Sequence, residues 1–286
     1  MYYENISIQS GTTVTTERGF YKNEKTGCLI QILHTLVGIF PGDKTKENEL
    51  CKGHFGYTSV GKIVVAGKEC DLLEGRHVLL SPVFSKYIIW NASVSQKHYR
   101  IHPIPTNVDC VEALFIPSLC VAFQLLNLII ESDKKSKKIL IFGYSLMTEI
   151  LYRLLIGNGI DAVIIDDSGA GTYRNYIYDD YYLSSIKPSQ IGLAVIFNQE
   201  CTQSPWLSGK RNEIVFKQLE TPVFSAASFM QNIHYDLFIE VIDYLRSNNS
   251  FLHELVVQHV HAESISQTCK AIEQFRYYGS CIVYDW

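Results

Sequence analysis

The sequence predicts an α/β protein in which a β-rich N-terminal part precedes a doubly wound parallel sheet, and three observations carry that prediction. Residues 139–142 form a short, continuous apolar run, which suits a parallel strand covered by helices on both faces. From Leu146 onward the apolar residues fall at Leu146, Met147, Ile150, Leu151, Leu154 and Leu155, the spacing of a helix with one stripe against a sheet. A second apolar run at 162–165 delivers Asp166 and Asp167 at its carboxyl end. Strand, tight turn, helix and a strand ending in acid make the first half of a dinucleotide-binding unit.

Each element of this unit has a physical reason. Gly143 permits the sharp turn between strand and helix, and Gly157 and Gly159 end the helix. Asp166 lies on the order of 20 residues after the glycine turn, where a ribose-binding carboxylate belongs. Two of the three glycines of the usual phosphate turn are replaced, leaving Gly143, Ser145 and Thr148. Ser145 and Thr148 are small, and their hydroxyls are available to a phosphate oxygen at the positive end of the helix. The acid favours NAD over NADP, because a 2′-phosphate is repelled there. Two bland readings stand beside this one: Asp166 as a strand-end cap, and the whole unit as a nucleotide fold without its nucleotide.

Before this unit the chain reads as β-rich. Residues 57–66 are strand-like, a turn falls at Glu74 and Gly75, and strands follow at 77–80 and 87–90. A helix is expected to start near Val108 or Asp109 and a second to run over about 118–130, followed by a charged, solvated stretch into the first parallel strand. Residues 171–185 are rich in tyrosine. That segment reads either as a loop or short helix over the sheet edge or as an aromatic wall for a flat ligand. Residues 191–197 form a third buried strand, leading to Asn198 and Gln199 at the carboxyl edge where ligands of such folds gather. An amphipathic helix is expected over 235–246, a helix over 262–274 and a last strand over 280–284.

Composition narrows the function classes. The chain has 286 residues, 47% of them hydrophobic and 19% charged, as in a compact globular protein of one large or two moderate domains. A net charge of −4 gives no footprint for nucleic acid or an anionic membrane. The N-terminus lacks a basic start and an apolar core, so a cytoplasmic protein is expected. The longest apolar run, 113–130, is broken by Pro117, Ser118, Gln124 and Asn127 and reads as a buried helix, not a membrane span. The eight cysteines show no CxxC and no close pair in sequence, and the nine histidines show no HExxH. Neither a zinc cluster nor a disulfide framework is written in that spacing. His259 and His261 would share a face on a strand, and the expectation is that they are ordinary histidines.

Several local matches resemble the medium-chain dehydrogenase/reductase superfamily, the zinc alcohol dehydrogenase relatives. Residues 56–64, GYTSVGKIV, resemble the superfamily's GHExxGxV segment, and residues 71–78, DLLEGRHV, resemble its GDRV turn and strand. Residues 10–17, SGTTVTTE, resemble the SGISTGTE of the bacteriochlorophyllide a dehydrogenase-like members, and the final CIVYDW resembles their C-terminal strand. The resemblance covers most of the chain. It implies a GroES-like substrate domain over 1–117 with 254–286, a Rossmann domain over 118–253, NAD or NADP as cofactor, a small-molecule substrate in the cleft and a homodimer.

The departures from that pattern shape the chemistry. Thr13 or Val14 stands where the superfamily has its cysteine ligand, Tyr57 and Thr58 stand for the His-Glu pair, and the four-cysteine zinc lobe is missing. A single nearby imidazole, His54, does not hold a catalytic zinc, so no metal is expected. The resemblance then implies a zinc-independent NAD(P)-dependent oxidoreductase acting on a specialised metabolite, with Thr13, His54 and Tyr57 as a proton relay. Its cofactor residues are Gly143, Ser145, Thr148, Asp166 and Asn198. The alternatives are a non-catalytic binding or scaffold relative, and a catalyst that has lost nucleotide dependence.

Overall fold

The structure is a computed structural model that describes residues 6–7, 13–14, 27–39, 56–67, 70, 73–81, 83, 86–91, 101–132, 137–166, 177–178, 182–183, 185–196, 216–218, 235–247, 251–261, 264, 267 and 280–286. In chain order the strands begin with β1 (Ile6–Ser7), β2 (Thr13–Val14), β3 (Gly27–Ile39), β4 (Gly56–Ala66), β5 (His77–Leu80), β6 (Tyr87–Asn91) and β7 (His102–Ile104). Two helices follow, α1 (Cys110–Ala113) and α2 (Ile116–Glu131), then β8 (Lys138–Phe142), α3 (Leu146–Gly157), β9 (Ala162–Ile165), β10 (Ile177–Tyr178), β11 (Ile191–Ile196) and β12 (Phe216–Gln218). The chain closes with α4 (Tyr235–Ser247), a 3₁₀ turn over Phe251–Leu255, β13 (Val256–His261) and β14 (Ser280–Asp285).

The five strands β8 to β12 form one parallel sheet in the order β10-β9-β8-β11-β12. Alternation along β8 and β9 sends Ile139, Ile141, Ala162 and Ile164 to one face, where α2, α3 and α4 cover them. Leu140, Phe142, Val163 and Ile165 point to the other, against Leu183, Tyr178, Tyr182 and Ile186. Burial on both faces is why these strands are written as unbroken apolar runs. The helices follow the expected cues: Asp109 caps α1 through two backbone N–H groups, and Pro117 sits in the first turn of α2, where a missing N–H leaves nothing unsatisfied. At the far end of α3, Asn158 is the C-cap and Gly159 takes φ +71°, a conformation that favours glycine.

The second sheet is mainly antiparallel, in the order β13-β14-β3-β4-β5-β7, with β6 also on β3. β3 is its spine. It pairs with β4 along most of its length, with β6 over its first half and with β14 over its second. Register shifts at Leu29/Ile30, Ile32/His34 and Leu36/Val37 bend it, as bulges do, so that it serves both partners on one edge. One face of this sheet, with Cys28, Ile30, Ile32, Ile63, Val78 and Leu80, builds a separate core. The opposite face, with Leu36, Val60, Leu79 and Val283, joins the same core as α1, α2 and the parallel sheet.

Several expectations meet the structure nearly residue for residue, among them 162–165, 77–80 and the turn at Glu74 and Gly75, where Gly75 takes φ +82°. β11 ends at Ile196 rather than at residue 197. The Tyr-rich segment contributes the edge strand β10, and Tyr178 stacks on Tyr182 at 4.0 Å between ring centroids. Both rings pack on the parallel sheet; residues 177–178 pair into its edge as a strand, where the plainer expectation is a loop or short helix over that edge, and residues 171–176, 179–181 and 184 lie outside the described residues. Most of the helix expected over 262–274 lies outside the described residues.

Two glycine substitutions test the packing. A Cβ on Gly61 would meet Ile30 Cγ2 at 2.5 Å and the Gln31 carbonyl oxygen at 2.9 Å, so Gly61→Ala is expected to destabilise by about 1–3 kcal/mol. Gly157, at the end of α3, has open space around its Cβ position, and Gly157→Ala is expected to stabilise by about 0.5–1 kcal/mol. Urea unfolding midpoints of the two variants check both signs.

Candidate functional site

The parallel sheet runs third, second, first, fourth, fifth in its local strand order, so its direction of growth reverses between β8 and β11. Open α/β sheets place their ligand crevice outside the carboxyl ends of the strands at such a reversal. The connection from β8 to α3 lies there. Gly143 takes φ +90°, and its N–H donates to the Ile165 carbonyl at 2.9 Å, tying the turn to the end of β9. The next N–H, on Tyr144, donates to Asp166 Oδ1 at 3.1 Å.

Ser145 is the N-cap of α3, and it forms a reciprocal box with Thr148. The Thr148 N–H donates to Ser145 Oγ at 3.3 Å, and the Ser145 N–H donates to Thr148 Oγ1 at 2.8 Å. Thr148 Oγ1 also donates to the Ser145 carbonyl at 3.0 Å. Thr148 is fully buried and Ser145 nearly so. The hydroxyls that the sequence offers to a phosphate are therefore engaged in capping the helix instead. Two other donors remain: the Leu146 and Met147 N–H groups, first in the helix, make no hydrogen bond among the described residues. They lie at the positive end of α3 beside the Gly143 turn and Asp166, where an anionic group is stabilised.

The structure thus brings Gly143, Ser145, Thr148 and Asp166 together. Asn198 and His54 lie outside the described residues. Thr13 falls in β2 and Tyr57 in β4, but their side chains are likewise outside the described set. The free Leu146 and Met147 amides escape sequence reading because side-chain identity does not encode which helix-end donors a cap leaves open.

A second feature appears on β4. Thr58 is fully buried and Ser81 almost so, and neither hydroxyl has a hydrogen-bond partner among the described residues. Ser59 pairs with Leu80, and continuing that register by one residue sets Ser81 opposite Thr58. Leu36 pairs with Thr58 and Val60 with Leu79, so both hydroxyls face the side on which the two sheets share a core. Their neighbours on the other face behave differently: Ser59 and Thr35 bond each other at 2.8 Å, Thr35 donates to the Val83 carbonyl at 2.8 Å, and Trp286 Nε1 donates to Thr35 at 3.1 Å.

Two further clusters have the residue types of chemistry. Cys110 Sγ lies 3.5 Å from His77 Nδ1. Burial pushes the thiol up, with Asp109 adding to it, and burial pushes the imidazole down, with Lys62 and His34 adding to that. Both partners are driven to their neutral forms, the reverse of a thiolate–imidazolium nucleophile. Asp285 accepts from His34 Nδ1 at 2.7 Å and from His259 Nδ1 at 3.2 Å, joining β3, β14 and β13 through their side chains. No group of three or more His, Cys, Asp or Glu is placed to hold a metal ion among the described residues, and no described helix is long and apolar enough to cross a membrane.

Comparison with known proteins adds the fold. No family model matches the sequence, and no curated protein matches it. Solved structures do. A galactitol-1-phosphate dehydrogenase from Escherichia coli superposes with a TM-score of 0.59 at 12% identity, over 99% of each chain. A protein from Sinorhizobium meliloti 1021, assigned as a zinc-binding dehydrogenase and bound to NADP, gives 0.59 at 13% identity, over 96% of this chain and 95% of that one. The quinone oxidoreductase from Coxiella burnetii gives 0.56 at 11% identity, over 99% and 98%. The chain has the fold of the medium-chain dehydrogenase/reductase structures, a GroES-like part with a Rossmann sheet.

Two substitutions separate engaged from unengaged hydroxyls. Ser145→Ala removes an N-cap and is expected to cost about 1 kcal/mol. Thr58→Val removes a buried hydroxyl without a partner and is expected to stabilise by about 1 kcal/mol; chemical denaturation reads both. His77 adds a pH dependence. Its folded value lies below the ordinary 6.5, so the stability it contributes is complete above that ordinary value and is lost as pH falls through the lower folded one. His77→Asn is expected to flatten the acid side of the stability profile, measured by urea midpoints between roughly pH 7 and pH 5.

Proposed function

We propose that this chain is an NAD(P)-dependent oxidoreductase that acts without zinc on a small specialised metabolite in the cleft between its two sheets. The observation that carries the reading is the β8–α3 turn: a positive-φ glycine, two open helix-end amides and a strand-end carboxylate converge at the reversal of a parallel sheet. The likeness to oxidoreductase structures, one of them bound to NADP, supports it.

The residues fit a dinucleotide in the following way. The Leu146 and Met147 amides take a pyrophosphate oxygen, Gly143 lets the backbone approach it, and Asp166 orients a ribose hydroxyl while steadying the turn through Tyr144. A bound nicotinamide supplies or accepts the hydride. Zinc independence rests on chemistry: Thr58, standing for the acid of the His-Glu pair, offers a neutral hydroxyl where a cation needs a carboxylate. Facing Ser81, it is suited to hold a neutral substrate oxygen. Thr13, His54 and Tyr57 remain our proposal for the proton relay, and Asn198 for the far side of the nicotinamide crevice. A second reading, a binding protein that keeps the fold, is favoured by the Ser145–Thr148 box, which closes the helix end on the chain's own hydroxyls.

Titration of the purified protein with NADH and with NADPH, following nicotinamide fluorescence, decides between them. Saturable binding is expected, tighter for NADH, and Asp166→Ala is expected to weaken NADH about tenfold, equivalent to about 1.4 kcal/mol, with little change for NADPH. No binding of either nucleotide at millimolar concentration sinks the oxidoreductase and leaves the scaffold.

A further inference from the structure

Cys28 and Cys70 are far apart in sequence, yet the fold brings their thiols together. Cys28 opens β3 and pairs across the ladder with Ala66, the last residue of β4. The Gly67 N–H donates to the Gly27 carbonyl at 2.8 Å, and the Cys70 N–H donates back to the Gly67 carbonyl at 3.0 Å. This turn folds residue 70 over the end of the ladder, where Cys70 packs against the core that contains Cys28, Ile30, Ile63 and Val78. The Cys70 thiol is near enough to Cys28 to act on it electrostatically. Neither cysteine is in a disulfide; Cys28 is fully buried and Cys70 is partly buried. No group of three or more His, Cys, Asp or Glu placed to hold a metal ion includes them among the described residues.

We propose that Cys28 and Cys70 form a two-electron thiol site that small-molecule disulfides oxidise to an intramolecular disulfide, with Cys70 as the point of entry. In the first step the Cys70 thiolate attacks one sulfur of the external disulfide. That S–S bond breaks, one thiolate leaves and takes up a proton, and a mixed disulfide forms on Cys70. In the second step Cys28 gives up its proton to solvent and attacks Cys70 Sγ. The second external thiolate is expelled and protonated, and the Cys28–Cys70 bond forms. Two protein thiols are oxidised and one external disulfide is reduced to two thiols. The second step is the slow one, because burial, with Cys70 adding to it, pushes the Cys28 thiol up to about 12 and leaves little thiolate. The bond would fasten the β3–β4 ladder to the connection entering β5, on the face of the sheet away from the shared core. It does not rest on the function proposed above.

The experiment uses the full chain and oxidised glutathione, with non-reducing digestion and mass spectrometry over time. The expected course is a transient glutathione adduct on Cys70, followed by a peptide linking Cys28 to Cys70. Cys28→Ser is expected to stop at the adduct, and Cys70→Ser to leave Cys28 unmodified. Oxidised wild-type protein is expected to melt several degrees higher than reduced protein, reversibly with dithiothreitol, and Cys28→Ser to show no such rise. A persistent Cys70 adduct in the wild type, a Cys70 linkage to any other cysteine, or direct modification of Cys28 in Cys70→Ser would each overturn the proposal.

Discussion

The three-residue connection from β8 to α3 is the constraint on which the carboxyl edge of the parallel sheet depends. β8 is covered on both faces, and the chain must leave it and begin, within Gly143 to Ser145, the helix that covers one of them. No side chain other than glycine adopts φ +90° cheaply. Once that turn is made, two N–H groups point at the end of β9 and are met by the Ile165 carbonyl and the Asp166 carboxylate. The acid is therefore fixed by the same turn that aims the helix. Loss of the glycine would move the helix end, the acid and the two open amides together.

The other sheet depends on β3, and the two sheets are joined by more than apolar packing. Arg153, on α3, donates to the buried Glu149 at 2.8 Å and to Glu254 at 2.6 Å. Its guanidinium also sits 5.4 Å from the centroid of the Phe251 ring. The 3₁₀ turn that carries Phe251 and Glu254 leads straight into β13, so the helix that presents its N-terminus to the crevice is held, one turn later, to the returning strand. A buried carboxylate paired in this way gives geometric definition more than net stability. That definition fixes how the helix sits against the returning strand.

Legibility in the sequence followed burial. The unit over 138–168 could be read because strands buried on both faces are continuous apolar runs, and an amphipathic helix between them has its own period. β3, the longest strand, could not. Three register shifts break its alternation, and one of its partners, β14, is some 250 residues away, as in the pairing of His34 with Asp285. The same limit applies to the sites. Gly143 and Asp166 are visible because their backbone roles demand particular residue types. The Thr58–Ser81 and Cys28–Cys70 juxtapositions are set by register and by a turn, and neither leaves a local signature.

The positions where this chain departs from the superfamily pattern share one kind of substitution, and the structure shows that its consequences differ. Where the pattern it resembles has glycines at the phosphate turn, this chain has Ser145 and Thr148; where it has the acid of the His-Glu pair, this chain has Thr58. At the turn the two hydroxyls are three residues apart on one helix, the distance at which an N-cap and its N3 partner satisfy each other. The helix end then keeps only the donors that the box does not use. On β4 neither Thr58 nor the facing Ser81 has a hydrogen-bond partner among the described residues. A buried hydroxyl without a partner is unfavourable by about 1–3 kcal/mol, and nothing in the packing around Leu36, Val60 and Leu79 requires one. The turn has therefore become self-sufficient while the β4–β5 face has not. Of the two altered places, it is the β4–β5 one that keeps buried hydroxyls without a partner among the described residues.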